Sequence, residues 1–358
     1  MDKILRIIDA NFNRVREGLR VVEDGIRFLI EDELLMRKLK ELRHKFTDTI
    51  VSCFPSSIRG KSRKAGQDIG KKEKSKRADF KKIIEQNLSR IGEGLRSLEE
   101  YSKIENPHIS KKLHNLRFEF YEIEKDVIIL INKKKIPLPF LQVILNLKEG
   151  DNIFPFAEKV IEGNPDIIQL RYKGEKDIYF LKVALKLRKL IPPEILFLIN
   201  DRIDICQICD ADGVHIGEYD IPLEYVRKVI PEKIIGVSCS NLTSIQKIAK
   251  KHPDYISIGA IFPSPTKPEK KVVGLNILTL AAKKINIPLG GIGGITRENV
   301  VDVIKAGADG VSIVSAIENS KNPEKEIKII KERLKKAWKK NQKNLPNQVW
   351  RRYYSSGY

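Results

Sequence analysis

Two patterns of apolar and polar positions divide the chain. Over the first 130 residues the apolar positions follow a helical period: Val15, Leu19, Val22 and Ile26 recur every three to four residues, with Asn13, Glu17, Arg20 and Asp24 on the opposite side. Ile91, Leu95 and Leu98 repeat this against Ser89, Glu93, Arg96 and Glu100. After residue 139 the pattern changes to short β-rich runs separated by helical stretches. The runs are Leu141–Asn146, Ile167–Tyr172, Leu196–Asn200, Gly213–Ile216, Ile234–Ser238, Tyr255–Ile261, Pro288–Gly291 and Gly310–Val314. Eight strand-helix units in about two hundred residues predict a closed (β/α)8 barrel rather than an open sheet.

The helical half carries an internal repeat. Asn11, Arg14, Glu17, Gly18, Leu19, Arg20 and Glu23 reappear as Asn87, Arg90, Glu93, Gly94, Leu95, Arg96 and Glu99, always 76 residues later. A second match pairs Leu39, Leu42 and Arg43 with Leu113, Leu116 and Arg117. Each copy therefore reads as two helices, and the pair as a four-helix-like module. The polar side of the repeat has two readings: a solvated salt-bridge face, or Arg14 and Arg90 making anion contacts while Gly18 and Gly94 allow close helix approach. The predicted fold is α/β: an all-α helical domain with an internal tandem repeat over residues 1–132, a Lys- and Pro-rich linker over 133–138, a C-terminal TIM barrel over 139–336, and a basic tail over 337–358.

Composition narrows this picture little. With 41% hydrophobic residues the chain can build a substantial core, and no apolar run is long enough to span a bilayer. The start, Met1-Asp2-Lys3-Ile4, has no signal-peptide pattern, so the expected location is cytoplasmic. The net charge of +20 suits nucleic acid, but it also suits phosphorylated metabolites. No aromatic-basic motif or reader module favours nucleic acid, and the lysine-rich stretch 61–76 and the tail read as solvated segments. Of the four cysteines, Cys206 and Cys209 form a C-x-x-C without a second ligand pair nearby, which fits helix packing better than zinc.

The chemistry gathers at predicted strand ends. The second run ends in Gln169, Arg171 and Lys173, an amide and two cations suited to an anion. The third ends in Asn200 and Asp201, and the fourth leads to Asp220, so two carboxylates stand where a hard cation such as Mg²⁺ is held. Ser238 closes the fifth run. Ser264, Thr266 and Lys267 follow the sixth, offering hydroxyls and an ammonium to a diphosphate gaining negative charge. The glycine-rich segment containing Gly293 and Gly294, with Val314 and Ser315 after the eighth run, suits a phosphate cradle.

In order and spacing these residues resemble thiamine phosphate synthase across about residues 139–320, through Q-L-R-x-K, N-D-R, D-G-V-H-I-G-x-x-D, G-V-S, x-x-T-K, G-G-I and G-A-D-G-V-S-x-x-S-A-I. The resemblance implies joining of 4-amino-2-methyl-5-hydroxymethylpyrimidine diphosphate to 4-methyl-5-(2-phosphooxyethyl)thiazole, with diphosphate leaving before the thiazole nitrogen attacks. It makes Asp201 and Asp220 Mg²⁺ ligands and places Arg171, Lys173, Asn200 and Lys267 around the diphosphate. Gln169 and Ser238 fall near the pyrimidine, with Lys267 and Ser238 as the catalytic candidates. Thr266, Gly294, Val314 and Ser315 fall near the thiazole phosphate. Ser264 stands where the family often has threonine, Glu218-Tyr219 where it commonly has Gln-Glu, and the first run lacks the usual tyrosine and terminal aspartate. His215 reads as structural, because the reaction calls for little proton transfer. A related thiazole tautomerase is the alternative for the barrel, but it would need no diphosphate clamp.

The helical repeats resemble the domain fused ahead of thiamine phosphate synthase in some bacteria, similar to the hydroxymethylpyrimidine phosphate kinase family. That resemblance implies ATP as a substrate and the pyrimidine diphosphate as product, although the repeats carry no P-loop or kinase signature. The alternative is a non-catalytic dimerisation or regulatory module, with a homo-oligomer as its consequence.

Overall fold

The computed structural model describes residues 2–30, 32–55, 79–264 and 271–342. Two compact units divide between Asn132 and Lys133. The first is helical: α1 (Asp2–Gly25) runs into a π-helical turn (Ile26–Ile30), followed by α2 (Glu33–Cys53), α3 (Phe80–Glu105) and α4 (Pro107–Asn132). Asp32 caps α2 by accepting a 2.8 Å hydrogen bond from the Leu35 amide. The stripes read from the sequence are buried: Val15, Leu19, Val22 and Ile26 from α1, and Ile91, Leu95 and Leu98 from α3. Phe12 and Phe46 stack at 5.6 Å in the same core.

The repeat has a structural counterpart. A Cβ on Gly18 would lie 2.8 Å from Ile91 Cγ1, and one on Gly94 would lie 2.5 Å from Val15 Cγ2, so each glycine seats a branched side chain of the other copy. Each copy also buries a glutamate and pairs it with the arginine of its second helix: Glu23 with Arg43 and Glu99 with Arg117, both at 2.7 Å. Arg14, Glu17 and Arg20 are exposed, as are Arg90, Glu93 and Arg96. Arg20–Asp24 and Arg96–Glu100 are partly exposed i,i+4 pairs that contribute about 0.3–0.5 kcal/mol each. The close helix approach is therefore present, and the arginine face is solvated.

The second unit is a closed parallel barrel of eight strands in sequence order: β1 (Phe140–Leu147), β2 (Ile167–Tyr172), β3 (Leu196–Asn200), β4 (Gly213–Ile216), β5 (Ile234–Cys239), β6 (Tyr255–Ile258), β7 (Leu289–Ile292) and β8 (Gly310–Ile313). The helices that follow these strands are α5 (Phe154–Glu162), α6 (Asp177–Leu190), α7 (Ile203–Ile208), α8 (Leu223–Val229), α9 (Leu242–Ala249), α10 (Gly274–Lys284), α11 (Val300–Lys305), a short α12 (Ser315–Glu318) and α13 (Pro323–Gln342). Phe140, Ile167, Leu196, Ile234 and Tyr255, the first residues of five strands, pack with Ile136 and Leu198 and fill the lower barrel. Polar inward-facing positions are thereby left for the upper end.

Residues 133–138 form no helix or strand, yet they are anchored: Lys133 Nζ lies 2.7 Å from Asp254, Lys134 Nζ lies 2.6 Å from Asp212, and Ile136 is buried. One boundary differs from expectation. Residues 337–342, expected in the tail, continue α13, because Ile327, Ile330 and Leu334 keep the helical period and Ala337 and Trp338 pack on the same core. The stretch 61–76 and the rest of the tail lie outside the described residues. Cys206 and Cys209 are buried thiols that pack in the barrel core, and burial pushes them up to about 12 and about 11 respectively. No helix among the described residues is long and apolar enough to cross a membrane.

Candidate active site at the mouth of the barrel

The strands end around a cavity of about 420 Å³, within the range of small-ligand sites. Period-two alternation sets its lining, since every second strand residue points inward. Gln169, Arg171 and Lys173 enter it from β2 and its loop, Asn200 and Asp201 from the end of β3, Asp220 from the loop after β4, and Ser238 from β5. Ser264 follows β6, Gly294 follows β7, and Val314 and Ser315 follow β8. Eleven residues singled out from the sequence thus share one cavity. Thr266 and Lys267 lie outside the described residues.

The carboxylates form one end of the cavity. Asp201 takes a left-handed backbone conformation (φ 64°), which Asp tolerates better than most residues, and its amide donates to His215 O at 2.9 Å. Its carboxylate accepts from Lys173 Nζ and from Asn200 Nδ2, each at 2.5 Å. Asp220 Oδ2 accepts from the Gly217 amide at 2.6 Å. Burial, then a hydrogen bond with Asp220, raises the Asp201 carboxyl above its ordinary value, against the pull of Lys173. Burial also works against ionisation of Asp220, but the hydrogen bonds from Asp201 and the Gly217 amide outweigh it and hold Asp220 below its ordinary value. Of the pair, Asp201 is thus the carboxyl that its surroundings make harder to ionise. A hard cation held by the two would take its remaining ligands from phosphate oxygens and water, as Mg²⁺ usually does. The donor set fits Mg²⁺.

The arc formed by β7 and β8, four strands from β3 and β4 in the ring, has a different character. Gly293 and Gly294 have φ of 97° and 62°, and a Cβ on Gly294 would lie 2.3 Å from Pro263 O, so glycine is required by both conformation and space. Asn299 braces this turn, its Nδ2 donating to Gly294 O and its Oδ1 accepting from the Thr296 amide, both at 2.9 Å. Ser315 opens α12 beside it.

Polar lining residues missed from the sequence include Gln142 and Asn146 on β1, Ser240 after β5, Ser257 on β6 and Ser312 on β8. Arg171 Nη1 donates to Asn146 Oδ1 at 3.1 Å, so the first strand orients a cation even without a terminal aspartate. Extending the alternation from Phe140 through Gln142, Ile144 and Asn146 was the available signal. Among the described residues Gln169 Nε2 and Ser257 Oγ are buried without a hydrogen-bond partner, which suits groups awaiting a polar ligand.

Comparison with known proteins adds independent evidence. The profile of the family described as "Thiamine monophosphate synthase" matches residues 141–317, and that of the "ThiD2 family" matches residues 6–126. A thiamine-phosphate synthase of Prochlorococcus marinus subsp. pastoris is 36% identical over 92% of this chain and 94% of its own length. One from Synechocystis is 35% identical over 89% and 93%. Among solved structures, a thiamine phosphate pyrophosphorylase from Pyrococcus furiosus is 29% identical with a TM-score of 0.52, covering 56% of this chain and 96% of that one.

Proposed function

Because this chain belongs to the thiamine-phosphate synthase family, we propose that its barrel joins 4-amino-2-methyl-5-hydroxymethylpyrimidine diphosphate to 4-methyl-5-(2-phosphooxyethyl)thiazole. It is a transferase of thiamine biosynthesis that acts on a pyrimidine and a thiazole phosphate. The observation that carries the finer reading is the two-ended cavity: a carboxylate pair with Arg171, Lys173 and Asn200 on one arc, and the Gly294–Ser315 cradle on the other. One arc takes the diphosphate and the other the thiazole phosphate, which holds the reacting carbon and nitrogen together.

The bond from the pyrimidine methylene carbon to the diphosphate oxygen breaks first, and the thiazole nitrogen then forms the new C–N bond, giving thiamine monophosphate and pyrophosphate. Mg²⁺ held by Asp201 and Asp220 would supply charge neutralisation for the departing diphosphate. Lys173, displaced from Asp201, and Arg171, fixed by Asn146, hold that diphosphate in place. Gln169 Nε2 and Ser238 orient the pyrimidine, and the thiazole phosphate accepts from amides at Gly294 and Ser315. Lys267 joins the diphosphate side in this reading, with Thr266 on the thiazole side. The diphosphate-directed carboxylate pair disfavours a tautomerase.

For the helical unit, the match to residues 6–126 supports an ATP-dependent kinase that makes the diphosphate from the pyrimidine monophosphate. Its buried glutamates are already committed to Arg43 and Arg117. That observation favours a second reading, a non-catalytic module through which copies of the chain associate. Full-length protein given thiazole phosphate, pyrimidine monophosphate, ATP and Mg²⁺ separates the two. Thiamine phosphate is the outcome for a kinase, and product only from preformed diphosphate refutes it.

A further inference from the structure

Below the carboxylates a continuous hydrogen-bonded chain crosses the barrel interior through five side chains on five strands. Ser312 Oγ donates to Gln142 Oε1 at 2.6 Å, and Gln142 Nε2 donates to Tyr255 Oη at 3.3 Å. Tyr255 Oη lies 2.8 Å from His215 Nδ1, and His215 Nε2 lies 2.8 Å from Ser238 Oγ. Gln142, Tyr255, His215 and Ser312 are all buried, so each proton in the chain must go to a neighbour.

The donors and acceptors set the direction. The carboxamide of Gln142 has its oxygen toward the Ser312 hydroxyl and its nitrogen toward Tyr255. Tyr255 Oη then accepts from Gln142, and its single proton goes to His215 Nδ1. Tyr255 keeps that proton, because burial raises its hydroxyl well above the ordinary range. An Nδ1 that accepts leaves the imidazole proton on Nε2, aimed at Ser238 Oγ. Ser238 receives a hydrogen bond from below, and its own O–H turns into the cavity. The geometry is built for this: a Cβ on Gly236 would lie 2.1 Å from the Tyr255 ring, so a glycine makes room for the tyrosine.

We propose that His215 and Tyr255 are positioning residues of the synthase reaction, holding His215 as its Nε2–H tautomer so that Ser238 presents a hydroxyl donor to an acceptor atom of the pyrimidine diphosphate. The inference rests on the synthase reading of the cavity. Ser238 with the opposite polarity, donating to a basic Nε2, would show the substrate only lone pairs. The tautomer therefore decides whether this floor selects an acceptor or a donor on its ligand.

The test uses full-length protein with ¹⁵N-labelled histidine, the His215 signal being identified as the one missing from His215→Asn. The expected result is a protonated Nε2 and an unprotonated Nδ1. A proton on Nδ1 overturns the proposal, and this readout needs no turnover, so it stands or falls apart from the synthase assignment. Tyr255→Phe keeps the buried ring and removes the relay. It should lower kcat/KM for the pyrimidine diphosphate about tenfold, the worth of one well-placed hydrogen bond, with KM for the thiazole phosphate unchanged. Unchanged kcat/KM for the pyrimidine diphosphate, or a raised KM for the thiazole phosphate, refutes the positioning role.

Discussion

Asp220→Asn isolates the carboxylate pair. The amide oxygen still accepts from the Gly217 N–H, so the loop after β4 keeps its anchor, while one negative charge is lost. Two unit charges about 4 Å apart in an effective dielectric of about 20 interact by about 4 kcal/mol, or about 8 kcal/mol when one is divalent. Relief of the repulsion between Asp201 and Asp220 returns about half of that. The remainder, about 4 kcal/mol, corresponds to about a thousandfold weaker Mg²⁺ binding. Calorimetric titration of the protein with Mg²⁺ or Mn²⁺ reads this directly, without turnover. The wild-type pH dependence has a defined sign. Asp201 is raised, so its proton competes with the cation at low pH, and affinity should climb as pH rises through that raised value and then level off. In Asp220→Asn one cause of the elevation is gone, so the climb should move to lower pH. Near-normal cation affinity in the variant, or an unmoved pH profile, would refute the pairing of these carboxylates.

Other consequences can be measured separately. Gly294→Ala forces a Cβ against Pro263 O at positive φ, a strain of about 1–2 kcal/mol or more, and should raise KM for the thiazole phosphate at least about tenfold while sparing that for the diphosphate. Gly94→Ala drives a methyl group into Val15, and by the usual cost of overpacking should destabilise the helical unit by about 1–3 kcal/mol in thermal melts, leaving synthase turnover intact. Glu99→Gln leaves the guanidinium of Arg117 without its partner and should cost about 3–5 kcal/mol; a loss under 1 kcal/mol by denaturant titration would show the pair to be dispensable. Glu99 is opposed by burial yet lowered by its hydrogen bonds from Arg117 and His114. The stability it adds is therefore present above the ordinary glutamate value and lost as pH falls through the lowered one, which acid titration of Glu99→Gln against wild type would reveal.

The strands were legible because each carries its own local signal, an apolar run bounded by glycine, proline or a charged turn. The repeat was legible because Glu23 and Glu99, or Gly18 and Gly94, lie a constant distance apart. What escaped depended on partners distant in sequence. Nothing near His215 announces that its Nδ1 meets a tyrosine 40 residues on, so a residue that reads as structural sits between Tyr255 and a cavity serine. Gln142 and Asn146 were not legible because β1 lacks the tyrosine and terminal aspartate that usually mark its inward positions, and two amides among apolar residues are a weak signal. The end of α13 was set too early because a lysine-rich stretch reads as tail until Ala337 and Trp338 are seen to pack on the core.

The central claim is a metal-assisted condensation in the barrel. It is tested most directly by incubating the full-length chain with preformed pyrimidine diphosphate and thiazole phosphate, with and without Mg²⁺, and quantifying both products. Thiamine monophosphate and pyrophosphate in equal amounts, formed only with the cation, is the expected result. Pyrophosphate without thiamine phosphate, or no product from folded protein with Mg²⁺ present, would contradict the account.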